Sequence, residues 1–178
     1  GRTLRLKQQY FFVSAGLQSI IRSHLKIYPS LKNLHEKNVI QLNDTHPVLA
    51  IPELMRLLID EYDMEWDEAW EITTKTMAYT NHTILAEALE KWPVSTMQTL
   101  LPRIYQIIEE INRRFIGFVK QATDSDDELL NRVMIIKDGQ VHMAHLAIAG
   151  SFSVNGVARL HTDILMQQEM KDFNQLYP

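Results

Sequence analysis

Apolar residues recur every three or four positions over several long stretches of the chain. This spacing, with its proline boundaries, is typical of amphipathic helices. Pro29 ends the first stretch, whereas Pro52 would break a helix that had already begun, so a tight irregular entry is expected over 47–51. The helices predicted in this way cover residues 4–25, 52–62, 67–77 and 101–120.

Short apolar runs predict the strands. Residues 39–42 are too few for an amphipathic helix, and we expect them to form a strand buried on both faces. Residues 78–80 have an extended pattern and lead into a polar cluster. The turn signal Asp138-Gly139 precedes residues 141–143, which suit a further strand.

The remaining segments favour helices over strands. Good helix formers over 86–92 are bounded by Pro93, and Ser125 with Glu128 forms a capping-box pattern that predicts a helix over 128–136. Residues 147–153 suit a close-packed loop or a helix start, and residues 157–165 a last helix. At least seven helices with two or three strands leave apolar helix faces uncovered, which indicates a piece of a larger α/β protein.

Composition narrows the class of protein. The 178 residues are 46% apolar, contain no cysteine and carry a formal net charge of −4, which favours a globular, cytoplasmic protein and argues against a general nucleic-acid binder. No apolar stretch approaches the length of a membrane helix. Residues 53–71 carry eight acids against one arginine, a pattern that we interpret as the solvated face of two helices.

Asp44 and His46 follow the predicted strand over 39–42. They lie two residues apart, so in extended backbone both side chains face one side and could hold sugar hydroxyls or transfer a proton. The simpler alternative is that Asp44 caps the next helix and His46 bonds to backbone, and the local pattern favours it. Asn81-His82-Thr83 has the same two interpretations.

Other motifs are weaker. His142 and His145 have a spacing that suits a metal on a helix, but no carboxylate motif accompanies them. Gly150 and Gly156 lack the spacing of a nucleotide loop, and no nucleophile elbow supports a catalytic triad. Arg5, in a basic segment, could hold an anion, although solvated basic residues on a helix are the ordinary case.

Taken together, seven blocks in order along the chain resemble the glycogen/maltodextrin phosphorylase family. The resemblance covers nearly all of the sequence. The blocks are Leu4-Arg5-Leu6-Lys7-Gln8-Gln9-Tyr10-Phe11, Gln41-Leu42-Asn43-Asp44-Thr45-His46-Pro47, Ala50-Ile51-Pro52-Glu53-Leu54-Met55-Arg56, Ala78-Tyr79-Thr80-Asn81-His82-Thr83, Glu87-Ala88-Leu89-Glu90-Lys91-Trp92-Pro93, Leu101-Pro102-Arg103 with Glu110-Ile111-Asn112-Arg113-Arg114-Phe115, and Met143-Ala144-His145-Leu146 with Val154-Asn155-Gly156-Val157-Ala158.

The resemblance implies a fold and an activity. The whole of residues 1–178 would be the later, incomplete part of the N-terminal Rossmann-like, glycosyltransferase-B type domain, helix-rich with a few short parallel strands. Family members carry pyridoxal 5′-phosphate on a lysine of the C-terminal domain and cleave terminal α-1,4-linked glucose with inorganic phosphate to give glucose 1-phosphate. The cofactor lysine motif and the phosphate-binding basic residues are absent from this sequence.

The resemblance also assigns roles in sugar binding. His82 would be the catalytic-site residue that holds the glucose at the cleaved end, through its backbone carbonyl and its ring. Asp44 and His46 would line the approach to the acceptor sugars, Glu87 would stand on the adjoining loop, and Arg5 would lie near the active site at the end of a mobile gate. Ala86 departs from a proline common in the family, which weakens the assignment of Glu87.

Two functions therefore remain open. The first is a fragment of a homodimeric phosphorylase that binds part of the glucan, with no cofactor bound and no activity of its own. The second is a stand-alone carbohydrate-binding or partner-binding module without catalysis.

Overall fold

The computed structural model describes residues 1–82 and 89–156, and the predicted helix over 157–165 lies outside them. Its elements are α1 (Arg2–Ile27), α2 (Leu34–Lys37), β1 (Ile40–Asn43), α3 (Ala50–Arg56), a π-helical turn (Leu57–Glu61), α4 (Trp66–Thr76), β2 (Met77–Asn81), β3 (Lys91–Pro93), α5 (Val94–Leu100), α6 (Pro102–Ala122), α7 (Asp127–Val133), β4 (Ile136–Lys137), β5 (Gln140–His142), α8 (Met143–Ala149) and β6 (Ser153–Gly156).

The helices predicted from periodicity are confirmed as α1, α4 and α6, within a few residues at each end. The helix expected from Pro52 begins two residues earlier, at Ala50, and ends in the π-helical turn. Pro52 is tolerated there because the first amides of a helix have no intrahelical acceptor. Hydrogen bonds from the amides of Val48 and Ala50 to nearby carbonyls form the expected tight entry.

A parallel sheet has the strand order β1-β2-β6. Two of its strands, β1 and β2, lead directly into the candidate residues Asp44 and His82. Leu42, Tyr79 and Val154 are in register, and so are Asn43, Thr80 and Asn155. The prediction that β1 is buried on both faces is wrong, because Leu42 is buried while Gln41 and Asn43 are exposed. The fold is thus α/β with a small parallel sheet, as the sequence indicates.

A second sheet is antiparallel, in the order β3-β5-β4. Asp138 and Gly139, with φ of 52° and 71°, join β4 to β5, which confirms the predicted turn. The predicted helix over 86–92 is wrong where the structure describes it, since Lys91–Pro93 pairs with β5, and Trp92 is buried there. Six strands exist among the described residues, more than the two or three predicted. The strands β3, β4 and β6 have only two to four residues each and lack the apolar run that predicts β1.

The capping prediction for α7 is also wrong. Asp126, rather than Ser125, is the N-cap, and its side chain accepts a hydrogen bond from the amide of Leu129 at 3.0 Å. Ser125 has a φ of 65°, outside the conformation of a helix cap. The helix ends at Val133 rather than 136, since the chain then enters β4.

One core joins the helices to the buried face of the parallel sheet. Gly150 follows α8, and a Cβ there would lie 2.7 Å from the Cδ1 atom of buried Ile51 in α3. Residues 147–153 thus contain the end of α8 rather than a helix start. Glu53, in the acidic block expected on a solvated face, is instead buried and hydrogen-bonded to Arg56. Among the described residues, no helix has the length and apolar character to cross a membrane.

Candidate functional site

Asp44 lies just after β1 in a turned conformation. Its φ is 62°, in the left-handed region that Asp adopts more readily than most residues. The amide of Asp44 donates a hydrogen bond to the carbonyl of Thr80 in β2 at 2.8 Å, which holds the turn against the neighbouring strand. The carboxylate therefore stands at the carboxyl end of the sheet, where open α/β proteins bind their ligands.

His82 follows β2 and contacts Asp44. Its backbone amide donates to Asp44 Oδ1 at 2.5 Å, and its ring Nδ1 lies 3.3 Å from Asp44 Oδ2. The His82 side chain is 42% exposed, so the alternative of a packed histidine does not hold. The capping alternative for Asp44 fails as well, because α3 has no side-chain cap. A carboxylate and an accessible imidazole are thus held together at two adjacent strand ends.

His46 lies to one side of this pair. Its side chain is exposed, and together with Arg5, Gln8, Phe12 and Pro47 it lines an open groove of about 280 Å³ between α1 and the turn after β1. The structure thus brings Arg5 and His46 to one groove and Asp44 and His82 to a direct contact. Glu87 lies outside the described residues.

Glu90 is the carboxylate that sequence reasoning missed. It lies 3.7 Å from Arg5 Nη2 and accepts a hydrogen bond from Gln9 Nε2 at 3.4 Å, and its side chain is only 9% exposed. Its second oxygen has no partner among the described residues. The guanidinium groups of Arg2 and Arg5 lie over the buried indole of Trp92. The only signal in the sequence was its place in one of the resembling blocks.

Tyr79 lies beneath the pair, at the centre of β2. Its side chain is fully buried, and its hydroxyl has no hydrogen-bond partner among the described residues. Burial, and secondarily the negative charge of Asp44, raises the pKa of the Tyr79 hydroxyl well above its usual value. Tyr79 therefore stays neutral and acts as part of the floor under the strand ends.

His142 and His145 form a separate pair. Their rings stack with centroids 5.0 Å apart, and His145 Nδ1 hydrogen-bonds to the carbonyl of Met134 at 3.0 Å. Burial, followed by the charges of His145 and Lys91, lowers the pKa of His142 to about 4. Within residues 1–82 and 89–156 no cluster of three or more His, Asp or Glu could hold a metal. This pair is part of the packing.

The chain is similar to known proteins over its whole length. The profile of the Carbohydrate phosphorylase family matches residues 1–178. Glycogen phosphorylase of Bacillus subtilis is 56% identical over 178 residues, which are 100% of this chain and 22% of that protein. The muscle forms of glycogen phosphorylase from Ovis aries and Homo sapiens are each 51% identical over 189 residues, with the same coverage.

The chain thus spans about 22% of the length of these relatives. The match nevertheless extends over every residue, including the strand ends that carry Asp44 and His82. We conclude that the chain belongs to the carbohydrate phosphorylase family.

Proposed function

We propose that the chain is one segment of an α-1,4-glucan phosphorylase, in which it supplies part of the glucan site. The complete enzyme would cleave the terminal glucose of a glucan with inorganic phosphate and release glucose 1-phosphate, as a cytoplasmic homodimer. The relatives named as glycogen phosphorylases support this activity. As the later part of an N-terminal domain, the segment would not form the whole active site.

The contact between Asp44 and His82 is the observation that carries the proposal. Sugar hydroxyls both donate and accept hydrogen bonds, so a site that orients them needs acceptors and donors fixed on rigid elements. A carboxylate and an imidazole ring 3.3 Å apart at the ends of two paired strands meet that need. In our proposal His82 contacts the glucose that is cleaved.

The neighbouring groove would extend this site. Arg5 and His46 line it together, with the Arg5 guanidinium near Glu90, so it offers a cation and an imidazole close to the strand ends. We assign His46 and Asp44 to the approach of the acceptor sugars and Arg5 to the border of the active site. Glu87 keeps its proposed place on the adjoining loop.

The family cofactor would be held elsewhere in the enzyme. Pyridoxal 5′-phosphate needs a lysine that is enclosed with it, since the bond to the cofactor must be kept from water. Every lysine among the described residues is exposed except Lys137, which lies half-buried in the β4–β5 hairpin. None of the lysines among the described residues fits the cofactor, so we assign sugar contacts to this segment and the cofactor chemistry to the rest of the enzyme.

The test compares the complete phosphorylase with the isolated 178-residue chain. Each would be incubated with maltoheptaose and inorganic phosphate, and glucose 1-phosphate would be measured. We expect only the complete enzyme to form glucose 1-phosphate. The isolated chain should bind maltoheptaose weakly or undetectably when it is titrated with this sugar. Glucose 1-phosphate formation by the isolated chain would contradict the proposed division of the site, and tight maltoheptaose binding without activity would support a stand-alone module.

A further inference from the structure

Three polar side chains are hydrogen-bonded across the exposed face of the parallel sheet. Gln41 Nε2 donates to Thr80 Oγ1 at 2.7 Å, and the Thr80 hydroxyl donates to Asn155 Oδ1 at 2.8 Å. The three residues belong to β1, β2 and β6, so this polar chain crosses every strand of the sheet. Gln41 lies three residues before Asp44, and Thr80 lies two residues before His82.

Thr80 is the residue common to this polar chain and to the candidate site. Its carbonyl accepts the hydrogen bond from the Asp44 amide at 2.8 Å, while its hydroxyl makes both contacts of the polar chain. The Asp44 carboxylate in turn accepts the amide of His82. A shift of Thr80 would therefore move the anchor of Asp44, and with it the carboxylate that His82 contacts.

The polar chain is not required to pair the strands. The backbone ladders of β1 with β2 and of β2 with β6 already fix the register. Hydrogen bonds on an exposed face replace bonds to water and add little net stability. The side chains of Gln41 and Asn155 are both exposed, so loss of their contacts with Thr80 would leave no buried polar group.

We propose that Thr80 is a positioning residue for the Asp44–His82 pair, and that its hydroxyl fixes the strand ends so that the two side chains meet a sugar in one geometry. This inference rests on the proposed phosphorylase function. Thr80 acts through Asp44 and need not touch the sugar. A small displacement of a group that orients a substrate has a large effect on rate, whereas its effect on folding is small.

The test uses the complete phosphorylase with maltoheptaose and inorganic phosphate. Thr80→Val keeps the shape and removes the hydroxyl, and we expect a fall of about tenfold in kcat/KM with little change in melting temperature. Thr80→Ser should restore most of the rate. Thr74→Val is the matched control: Thr74 is also half-buried, but its hydroxyl donates to the carbonyl of Trp70 within α4.

A double-mutant comparison separates positioning from a direct contact. If Thr80 acts through Asp44, then Thr80→Val should cost about threefold or less when Asp44→Asn is already present. The same tenfold loss in both backgrounds would overturn the proposal, and so would an unchanged kcat/KM with a lower melting temperature. The unsubstituted enzyme reports on the proposed function by itself, because failure of that function would leave it without glucose 1-phosphate formation.

Discussion

The two sheets each carry a contact that involves histidine, and the two contacts differ in almost every respect. At the end of the parallel sheet, His82 contacts the carboxylate of Asp44 and is 42% exposed. In the antiparallel sheet, His142 of β5 stacks on His145, and the charges that act on His142 are positive. The His82 ring faces a carboxylate, whereas burial and positive charge lower the pKa of His142 and disfavour a proton on its ring.

This difference teaches where chemistry can be placed in such a fold. The parallel strands end at an open edge, where a polar side chain can meet both a neighbour and a ligand. At the antiparallel sheet, Trp92 is buried and the ring of His142 stacks on that of His145, so these groups contact the protein itself. We therefore expect changes at the first sheet to affect activity and changes at the second to affect stability.

The largest effect is expected from Ile135→Ala, which removes a fully buried side chain next to β4. The free energy of unfolding of the complete enzyme should fall by about 2–5 kcal/mol, because a cavity remains, while kcat of the folded fraction stays unchanged. Chemical denaturation and initial rates measure the two quantities. Val39→Ala is the control, since Val39 precedes β1 and is 66% exposed. A large fall in kcat with normal stability would contradict the comparison.

His82→Ala should have the opposite profile. We expect kcat to fall by about a hundredfold in the complete enzyme, because the proposed contacts of the ring with the sugar would strengthen in the transition state, with a small change in melting temperature. His35→Ala, a half-buried histidine in α2, serves as the matched control. Unchanged kinetics with a large drop in melting temperature would place His82 with the packing histidines.

Asn112→Leu should lower the stability by a smaller amount and should not affect activity. Asn112 Oδ1 accepts the amides of Ile135 and Ile136 at 3.0 and 3.2 Å, so its loss leaves these donors without a partner. We expect the free energy of unfolding to fall by about 1–3 kcal/mol. Asn112→Asp keeps an acceptor oxygen and should retain most of the stability. Equal losses in the two variants would show that the amide contacts are unimportant.

The smallest expected effect is on the stability of the protein at acid pH. Burial, with the charges of His145 and Lys91, lowers the pKa of His142 from 6.5 to about 4, so the folded protein disfavours the protonated ring. The resulting stability is fully present above pH 6.5 and is lost as the pH falls toward 4. Melting temperatures across this range should fall less steeply for His142→Gln than for the unsubstituted enzyme. Parallel curves would contradict this pKa shift.

Local patterns were sufficient to predict the long elements. The stripe of apolar residues in α6 and the turn at Asp138-Gly139 both depend on neighbours in sequence, and both were predicted correctly. The strand over Lys91–Pro93 was missed because its pairing with β5 joins residues about fifty positions apart. The exposed face of β1 depends likewise on what covers the sheet, which a local pattern does not contain.

The candidate site likewise combines features that a local pattern predicts with features that depend on distant residues. The polar residues after two strands were visible in the sequence, but local reasoning favoured Asp44 as a helix cap, and only the resemblance pointed to sugar binding. The contact of Asp44 with His82 spans 38 positions and could not be derived from spacing. Glu90 was missed because its proximity to Arg5 depends on how α1 packs against β3.

The left-handed backbone of Asp44 decides which variants of the site can be interpreted. At a φ of 62°, Asn and Gly are accommodated, whereas a β-branched residue forces strain into the turn. A saturation library at this position would therefore mix two kinds of inactive clone, those that lack the carboxylate and those that cannot form the turn. Asn keeps the shape of the side chain and fits this backbone conformation, so Asp44→Asn removes only the charge. Directed evolution can therefore accept few replacements at position 44, and this single substitution is the informative one.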